Sequence, residues 1–417
     1  MTPQETSWAT ENFGIAARHL SGSGRVDDLV LPGLRRNPRR AHLLVSTVLG
    51  KHIALEPARA VAAGRQLAHA VSTLAPGAAD VIGMAETATA LGHCVADGLD
   101  ADTYLHSTRR GAPPERTYVA FTEEHSHATE HTLQPSGSQL LDPLRTVVLV
   151  DDEVSTGNTA LATIVALQRV MPRQKYIVAA LVDFLTDQQR LLIAASARDF
   201  GARVAFVSLA RGFMDLPTGL LEMVSALPAP ELNIQGPATE RDVSHTVLPW
   251  PAAVPEGGRY GFLRSDRAAF HNAVVGAAHH LAALLDRDRS VLIVGHEELM
   301  YLPLKIAEQL TLLGFKTRFQ STTRSPAHVF DDPGYPLRRG WTFPACESED
   351  PGPRFLYNGW PSTVGDARTQ LVLVLDSLAA AGDRRVVDVL SSAGYGVLVA
   401  VVHGPGAAEL GCRRGHG

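Results

Sequence analysis

The chain has 417 residues, 45% of them hydrophobic and 19% charged, which is length for two or three domains and a composition that excludes a disordered chain. Its formal net charge of -5 excludes a global basic field of the kind that draws nucleic acid. Cys94, Cys346 and Cys412 are scattered with no CxxC pair, which excludes a disulfide framework and leads us to expect a reducing, cytoplasmic setting. Residues 1–10 are polar and carry acids, so no signal peptide is expected. No uninterrupted apolar stretch approaches the ~18 residues of a membrane span.

The basic run Leu34-Arg35-Arg36-Asn37-Pro38-Arg39-Arg40 precedes an apolar segment, Ala41 to Leu49, whose pattern predicts a helix. Lys51-His52 follows it, and Pro57 to Leu74 reads as an amphipathic helix. Asp80 to Met84 predicts a short strand entering the turn Ala85-Glu86-Thr87-Ala88-Thr89, with a helix from Ala90 to Asp97. Thr103 to Thr108 predicts a second strand, leading to Arg109-Arg110. A third covers Tyr118 to Phe121, and the polar stretch Thr122 to Ser138 predicts a mobile loop. Val147 to Val150, Tyr176 to Asp183 and Arg203 to Ser208 predict further strands, with a helix between the last two. Strands alternating with helices argue for an α/β fold with a doubly wound parallel sheet.

The chemistry concentrates after Val147-Val148-Leu149-Val150, a run that reads as a buried parallel strand. Asp151-Asp152-Glu153 lies at its carboxyl end, where open α/β sheets place their ligands. Val154-Ser155-Thr156-Gly157-Asn158-Thr159 then turns the chain into a helix expected near Ala160. Such a Gly-containing turn offers several N–H groups to an anion. Paired carboxylates accept hydrogen bonds from a vicinal diol, so the whole suits a sugar with a diol and a terminal phosphate.

Taken together, Val147 to Thr159 resembles the phosphoribosyl-pyrophosphate (PRPP) motif of type I phosphoribosyltransferases. The resemblance implies that Asp151 and Asp152 hold the ribose hydroxyls and, largely through ribose and water, Mg²⁺. It implies that Ser155, Thr156, Gly157, Asn158 and Thr159 cradle the 5-phosphate. Glu153 departs from the pattern, standing where Val or Ile is usual; it either reaches Mg²⁺ or a basic partner, or only tilts the strand end. By the same resemblance Glu86 to Gly92 is the diphosphate loop, with Thr87 and Thr89 hydroxyls suited to diphosphate oxygens. Glu86 is awkward there unless it meets Mg²⁺, and a Thr-capped helix start is the plain alternative. Arg109 and Arg110 stand where related transferases place a basic residue on the diphosphate; the alternative is a solvated surface pair.

Glu123-Glu124-His125-Ser126-His127-Ala128-Thr129-Glu130-His131 falls where that family carries a loop closing over PRPP. His125, His127 or His131 is then a donor to the departing diphosphate or a general acid. Two other readings stay open: a Zn²⁺ site, since His-x-His with nearby acids suits that metal, and an inert surface loop. The 34–40 run is read as a hood over phosphate or base, or else as a solvated helix start or a weak RNA contact.

A break follows at Leu227 to Gly258, rich in Pro, which predicts a linker or extended crossing segment. The β/α rhythm then resumes as a worn copy. Gly295-His296-Glu297-Glu298 echoes Gly83-Met84-Ala85-Glu86, Ser321-Thr322-Thr323-Arg324 echoes Ser107-Thr108-Arg109-Arg110, and Gln370 to Ser377 echoes the Val147 strand. Three motifs in the same order argue for duplication. The copy lacks the paired acids and the Thr-Gly-Asn-Thr loop. The expected domains are 1–226 for the transferase, 227–258 for the linker and 259–417 for the degenerate copy. Arg324, Trp341, Trp360 and the acids Glu347, Glu349 and Asp350 are read there as a separate pocket, or more simply as buried aromatics and surface acids.

Over nearly its full length the chain resembles an orotate-phosphoribosyltransferase-like domain joined to the domain named for a Thr-Arg-Ser-Pro signature, here Thr323-Arg324-Ser325-Pro326. That resemblance implies proximity to tellurium-resistance (Ter) stress operons and synthesis of a nucleoside-like metabolite. The expected function is Mg²⁺-dependent transfer from PRPP to a nucleobase-like acceptor, with neither nucleic acid nor membrane the expected partner and a homodimer as the candidate assembly. One rival is a PRPP- or nucleotide-sensing or RNA-binding regulator without turnover, in which Asp151→Asn changes only binding. The other is a metal-dependent hydrolase at the histidine loop, which predicts Zn²⁺ retained through purification.

Overall fold

The computed structural model describes residues 7–75, 77–111, 117–122, 130–236, 242–346, 352–359 and 369–415. The first half runs α1 (Trp8–Phe13), β1 (Ala16–Gly22), α2 (Val26–Leu29), β2 (Val30–Leu34), β3 (His42–Ser46), α3 (Pro57–Ser72), β4 (Ala79–Gly83), α4 (Thr89–Gly98), β5 (Thr103–His106), β6 (Val119–Thr122) and β7 (Glu130–Leu133). It continues with β8 (Thr146–Val154), α5 (Asn158–Val170), β9 (Lys175–Asp183), α6 (Asp187–Asp199), β10 (Arg203–Asp215) and α7 (Leu220–Ser225). The second half comprises β11 (Val243–Val247), β12 (Phe262–Leu263), α8 (Arg267–Ala282), β13 (Ser290–Gly295), α9 (Tyr301–Leu312), β14 (Thr317–Ser321), β15 (Gly340–Pro344) and β16 (Pro353–Tyr357). It ends with β17 (Thr369–Asp376), α10 (Ser377–Ala380), α11 (Arg384–Ser392), β18 (Gly396–Val402) and α12 (Ala407–Arg413).

Two sheets result. The first has the order β1-β10-β9-β8-β4-β5-β12, and the second β11-β18-β17-β13-β14. Strands β10, β9, β8, β4 and β5 pair in parallel, with β1 and β12 antiparallel at the edges. The second sheet is parallel throughout. Valine, isoleucine and leucine fill the middles of the central strands, where the side chains on both faces are buried. The order β5-β4-β8-β9 is repeated as β14-β13-β17-β18. At the place of β10 stands β11, which comes from the Pro-rich 227–258 segment ahead of the copy. In return, β12 crosses back to extend the first sheet.

The halves share a core. Apolar residues of α3 and α4 (Leu67, Leu91) and of α9 (Leu302, Ile306, Leu310) belong to one buried cluster. His93 stacks on Tyr301 across this seam with ring centroids 3.6 Å apart. Among the described residues no helix is long and apolar enough to cross a membrane.

The predicted helix over Ala41 to Leu49 is instead β3, half of an antiparallel hairpin with Val30 opposite Ser46 and Leu34 opposite His42. A short apolar run has no period that separates strand from helix, and the partner strand β2 decides. Likewise the predicted loop Thr122 to Ser138 contains β7, paired with β6. His125 and His127 lie outside the described residues.

Candidate active site between the halves

Strand β8 carries Asp151, Asp152 and Glu153 out of the sheet as partly buried residues, while Val147 to Val150 are fully enclosed. The chain turns at Gly157, whose φ is +75°. A Cβ there would meet Ile193 Cδ1 at 2.3 Å, so the turn needs glycine on two grounds. Helix α5 begins at Asn158, slightly before the expected Ala160, so the turn lies at the N-terminus of a helix, where backbone N–H groups favour an anion. Residues Ser155, Thr156, Gly157 and Thr159 line a cavity of about 560 Å³ together with Asp151, Asp152 and Glu153. That volume lies in the ~300–1,000 Å³ range of small-molecule sites.

The opposite wall is the turn after β4. Glu86 and Thr87 line the same cavity, as do Arg109 and His131. The peptide between Ala85 and Glu86 is cis. Thr87 Oγ1 accepts a hydrogen bond from Lys51 Nζ at 2.6 Å. Arg109 Nε donates to His131 Nε2 at 3.1 Å, and His131 Nδ1 lies 3.1 Å from Ser107 Oγ. The β2–β3 hairpin closes a third side with Arg35, Arg40, Leu43 and Leu44. Arg40 Nη2 pairs with Glu153 Oε1 at 2.5 Å, so the unusual acid of the motif meets a basic partner from the hairpin. Burial raises the Glu153 carboxyl, with Arg40 opposing and Asp152 adding to the rise.

The fourth wall comes from the second half. Thr323, Arg324, Ser325 and Pro326 line the cavity, beside Arg354 and Phe355 of β16. The expectation of a separate pocket around Arg324 and Trp341 is therefore corrected. Arg324 faces the Asp151 cavity, whereas Trp341 is buried in the core of the second half, with Nε1 donating to the Ile234 carbonyl at 3.3 Å. Trp360 and the acids 347–350 lie outside the described residues.

Glu86 has a structural explanation that its own loop does not provide. Its Oε2 accepts the backbone N–H of Arg324 at 3.1 Å. The second half reciprocates, with Glu298 Oε1 accepting the backbone N–H of Arg109 at 2.9 Å. Behind the wall, buried Glu297 receives Arg324 Nε at 2.7 Å and also binds Arg354 Nε. Burial alone would raise the Glu297 carboxyl, but the His296 contact and the Arg324 and Arg354 guanidiniums hold it well below the usual range.

Three expected site residues do not reach this cavity. Arg110 turns away and pairs with Asp376 at 2.5 Å, because its side chain leaves on the far side of the same turn from Arg109. Thr89 is buried at the start of α4, its hydroxyl donating to the Glu86 carbonyl at 3.3 Å, and borders the second half's cavity instead. Asn158 is exposed as the first residue of α5, with its N–H 3.4 Å from Thr156 Oγ1. Conversely, Arg354 belongs to the cavity with no expectation behind it, while Arg40, Lys51 and His52 reach it from the stretch read as a hood over phosphate or base. Only the basic run and the adjoining Lys51-His52 signalled part of this in sequence.

Mg²⁺ fits this donor set in one manner. The cavity offers hard carboxylate oxygens from Asp151, Asp152, Glu153 and Glu86, and buried Glu86 Oε1 has no hydrogen-bond partner among the described residues. No group of three or more His, Cys, Asp or Glu among the described residues forms a metal cage. That pattern suits an ion held by one or two carboxylates, water and substrate phosphates.

Residues 29–213 match the family described as phosphoribosyl transferase, and residues 256–390 match the TRSP domain C-terminal to that transferase. No curated protein matches the chain. Among solved structures it is similar to adenine phosphoribosyltransferase from Rhodothermus marinus, with 20% identity and a TM-score of 0.33 over 44% of this chain and 96% of that one. The enzyme from Giardia lamblia complexed with 9-deazaadenine gives 20% identity and 0.34 over 46% and 98%. The Trypanosoma brucei enzyme in complex with AMP, pyrophosphate and ribose-5-phosphate gives 17% and 0.33 over 45% and 77%. By its two family matches, which together span most of its length, the chain is a phosphoribosyltransferase whose transferase domain is followed by that family's TRSP domain.

Proposed function

We propose that the chain transfers the phosphoribosyl group of PRPP to a ring nitrogen of a nucleobase-like acceptor, with Mg²⁺, in synthesis of a nucleoside-like metabolite. The observation that carries this reading is a single cavity bordered by Asp151-Asp152, the Ser155–Thr159 turn, the Glu86-Thr87 turn and the Thr323–Pro326 segment. Asp151 and Asp152 accept hydrogen bonds from the ribose diol. The N–H groups and hydroxyls of the 155–159 turn take the 5-phosphate, so binding remote from C1 orients C1 for attack. Thr87, Lys51 and Arg109 take the diphosphate. The acceptor nitrogen forms a bond to C1 as the C1–O bond breaks; diphosphate leaves with the electron pair, and the acceptor's proton passes to solvent. When bound, Mg²⁺ offsets the negative charge gathering on the leaving diphosphate. Arg109 and Arg324, fixed by His131 and Glu297, supply the same offset from two walls without rearranging during the step. Residues 1–226 act as the transferase domain and 259–417 as its supporting copy, joined by 227–258.

The test is diphosphate release from PRPP with Mg²⁺ and a panel of orotate, uracil, hypoxanthine, adenine and nicotinamide. Release that needs both a base and Mg²⁺, and that is absent in Asp151→Asn/Asp152→Asn, is the expected result. Failure of the chain to bind PRPP at all would overturn the reading.

A further inference from the structure

His52 follows the β2–β3 hairpin and borders the cavity. It is 2% exposed, yet neither ring nitrogen has a hydrogen-bond partner among the described residues. Its surroundings hold the backbone well. The His52 carbonyl accepts Asn358 Nδ2 at 3.0 Å, and its ring lies 5.6 Å from the Tyr357 ring, centroid to centroid. Unpaired buried polar atoms destabilise a folded chain, and they persist where a ligand completes them. His93 also has two unpaired ring nitrogens. It differs in being stacked on Tyr301 beside a cavity of only about 20 Å³, which has room for no base. His52 alone of the two faces a volume that admits one.

Charge narrows what His52 meets. Burial, then Lys51 and Arg35, hold its pKa well below the ordinary range, so the ring is a neutral donor–acceptor and a poor general base. Lys51 and Arg35 border the same cavity and favour an electron-rich oxygen over an amino group.

Resting on the transferase reading, we propose that His52 is the specificity residue for the acceptor, hydrogen-bonding the carbonyl edge of an oxo-substituted heterocycle. The Ser155–Thr159 turn, Asp151 and Asp152 stand on β8 and α5, whereas His52 follows the hairpin, so the ribose 5-phosphate and the acceptor meet different elements of the cavity. The experiment measures steady-state diphosphate release with orotate, uracil, hypoxanthine and adenine for the parent chain, His52→Phe and His52→Asn. Phe keeps a planar ring without nitrogens, and Asn keeps one donor and one acceptor. The expected result is that an oxo base outpaces adenine in the parent. His52→Phe then raises that base's KM by about 10-fold with the KM for PRPP unchanged, and His52→Asn falls between. Should His52→Phe fail to fold, His52→Asn carries the same comparison. A preference for adenine, an unchanged base KM, or equal rises for base and PRPP would overturn the proposal. Absence of release with every base in the parent chain would instead overturn the transferase reading beneath it.

Discussion

The two halves repeat one plan and end with opposite sites. Gly83 lies opposite Val150 in the first sheet and Gly295 opposite Val374 in the second, so Leu375 stands at the place of Asp151 and Asp376 at that of Asp152. Ala85 N–H and Glu297 N–H each reach a hydroxyl, Ser107 Oγ at 2.8 Å and Thr322 Oγ1 at 2.9 Å. Arg110 N–H and Ser325 N–H bond Thr108 Oγ1 and Thr323 Oγ1, both at 3.1 Å. Yet the first cavity holds about 560 Å³ and the second about 20 Å³. Asp376 caps a helix by accepting the Ala379 N–H at 2.9 Å and pairs with Arg110, so the acid that remains is spent on structure. Backbone plan therefore survives the loss of a few side chains, and the copy lends its Thr323–Pro326 segment and Arg354 as a wall of the open cavity.

The division of labour breaks most sharply under matched substitutions. Asp151→Asn/Asp152→Asn should lower transfer by about 1,000-fold or more. Asp376→Asn should leave the rate per folded molecule within about threefold and instead destabilise by about 2–3 kcal/mol, because Arg110 keeps a buried charge with a weakened partner. Initial rates and urea midpoints on the same preparations separate the two effects; a folded Asp376→Asn chain without activity would erase the contrast.

Glu297 tests the wall. At the place of Ala85 in the first half, it holds the buried side chains of Arg324 and Arg354. Glu297→Ala should destabilise by about 3–5 kcal/mol, since two guanidiniums lose the buried carboxylate they share. In urea the midpoint falls and the slope is unchanged. A stable variant would mean that solvent or other acids hold these arginines.

A smaller effect sharpens the comparison through pH. Burial, with Asp376 adding, pushes the Glu256 carboxyl in the closed cavity from 4.5 up to about 7. Between those values the folded chain keeps a proton that the unfolded chain has released, so stability falls as pH rises through that window and levels above it. Glu256→Gln does not titrate and should gain about 1–3 kcal/mol at pH 8 and little near pH 4.5. Melting temperatures of both chains across this range check the sign; an equal gain at both ends would assign the effect to packing instead.

Much of this was readable beforehand. The Val147–Thr159 pattern located the strand, its acids and the turn because each is local: an apolar run, a charge pair and a glycine that must take positive φ. The echoes at Gly295, Ser321 and Gln370 located the duplication because repeats survive in order even when their chemistry is lost, although strand register places Thr322, one residue on, at the position of Ser107. Residues 41–49 were misjudged because an isolated apolar run does not announce its pairing partner.

By itself, then, the sequence determined the α/β class, the position of the motif and the twofold plan, all of which depend on neighbours within a few residues or on recurrence. Tertiary structure alone decided that Arg110 serves Asp376 and Arg109 serves the cavity, and that Glu86 is held by Arg324, 238 positions away. It also decided that the Thr-Arg-Ser-Pro segment faces the acids of β8. Those pairings follow from how two sheets pack across one helical seam, and the free energy of burying a charge is set by whichever distant partner that packing delivers.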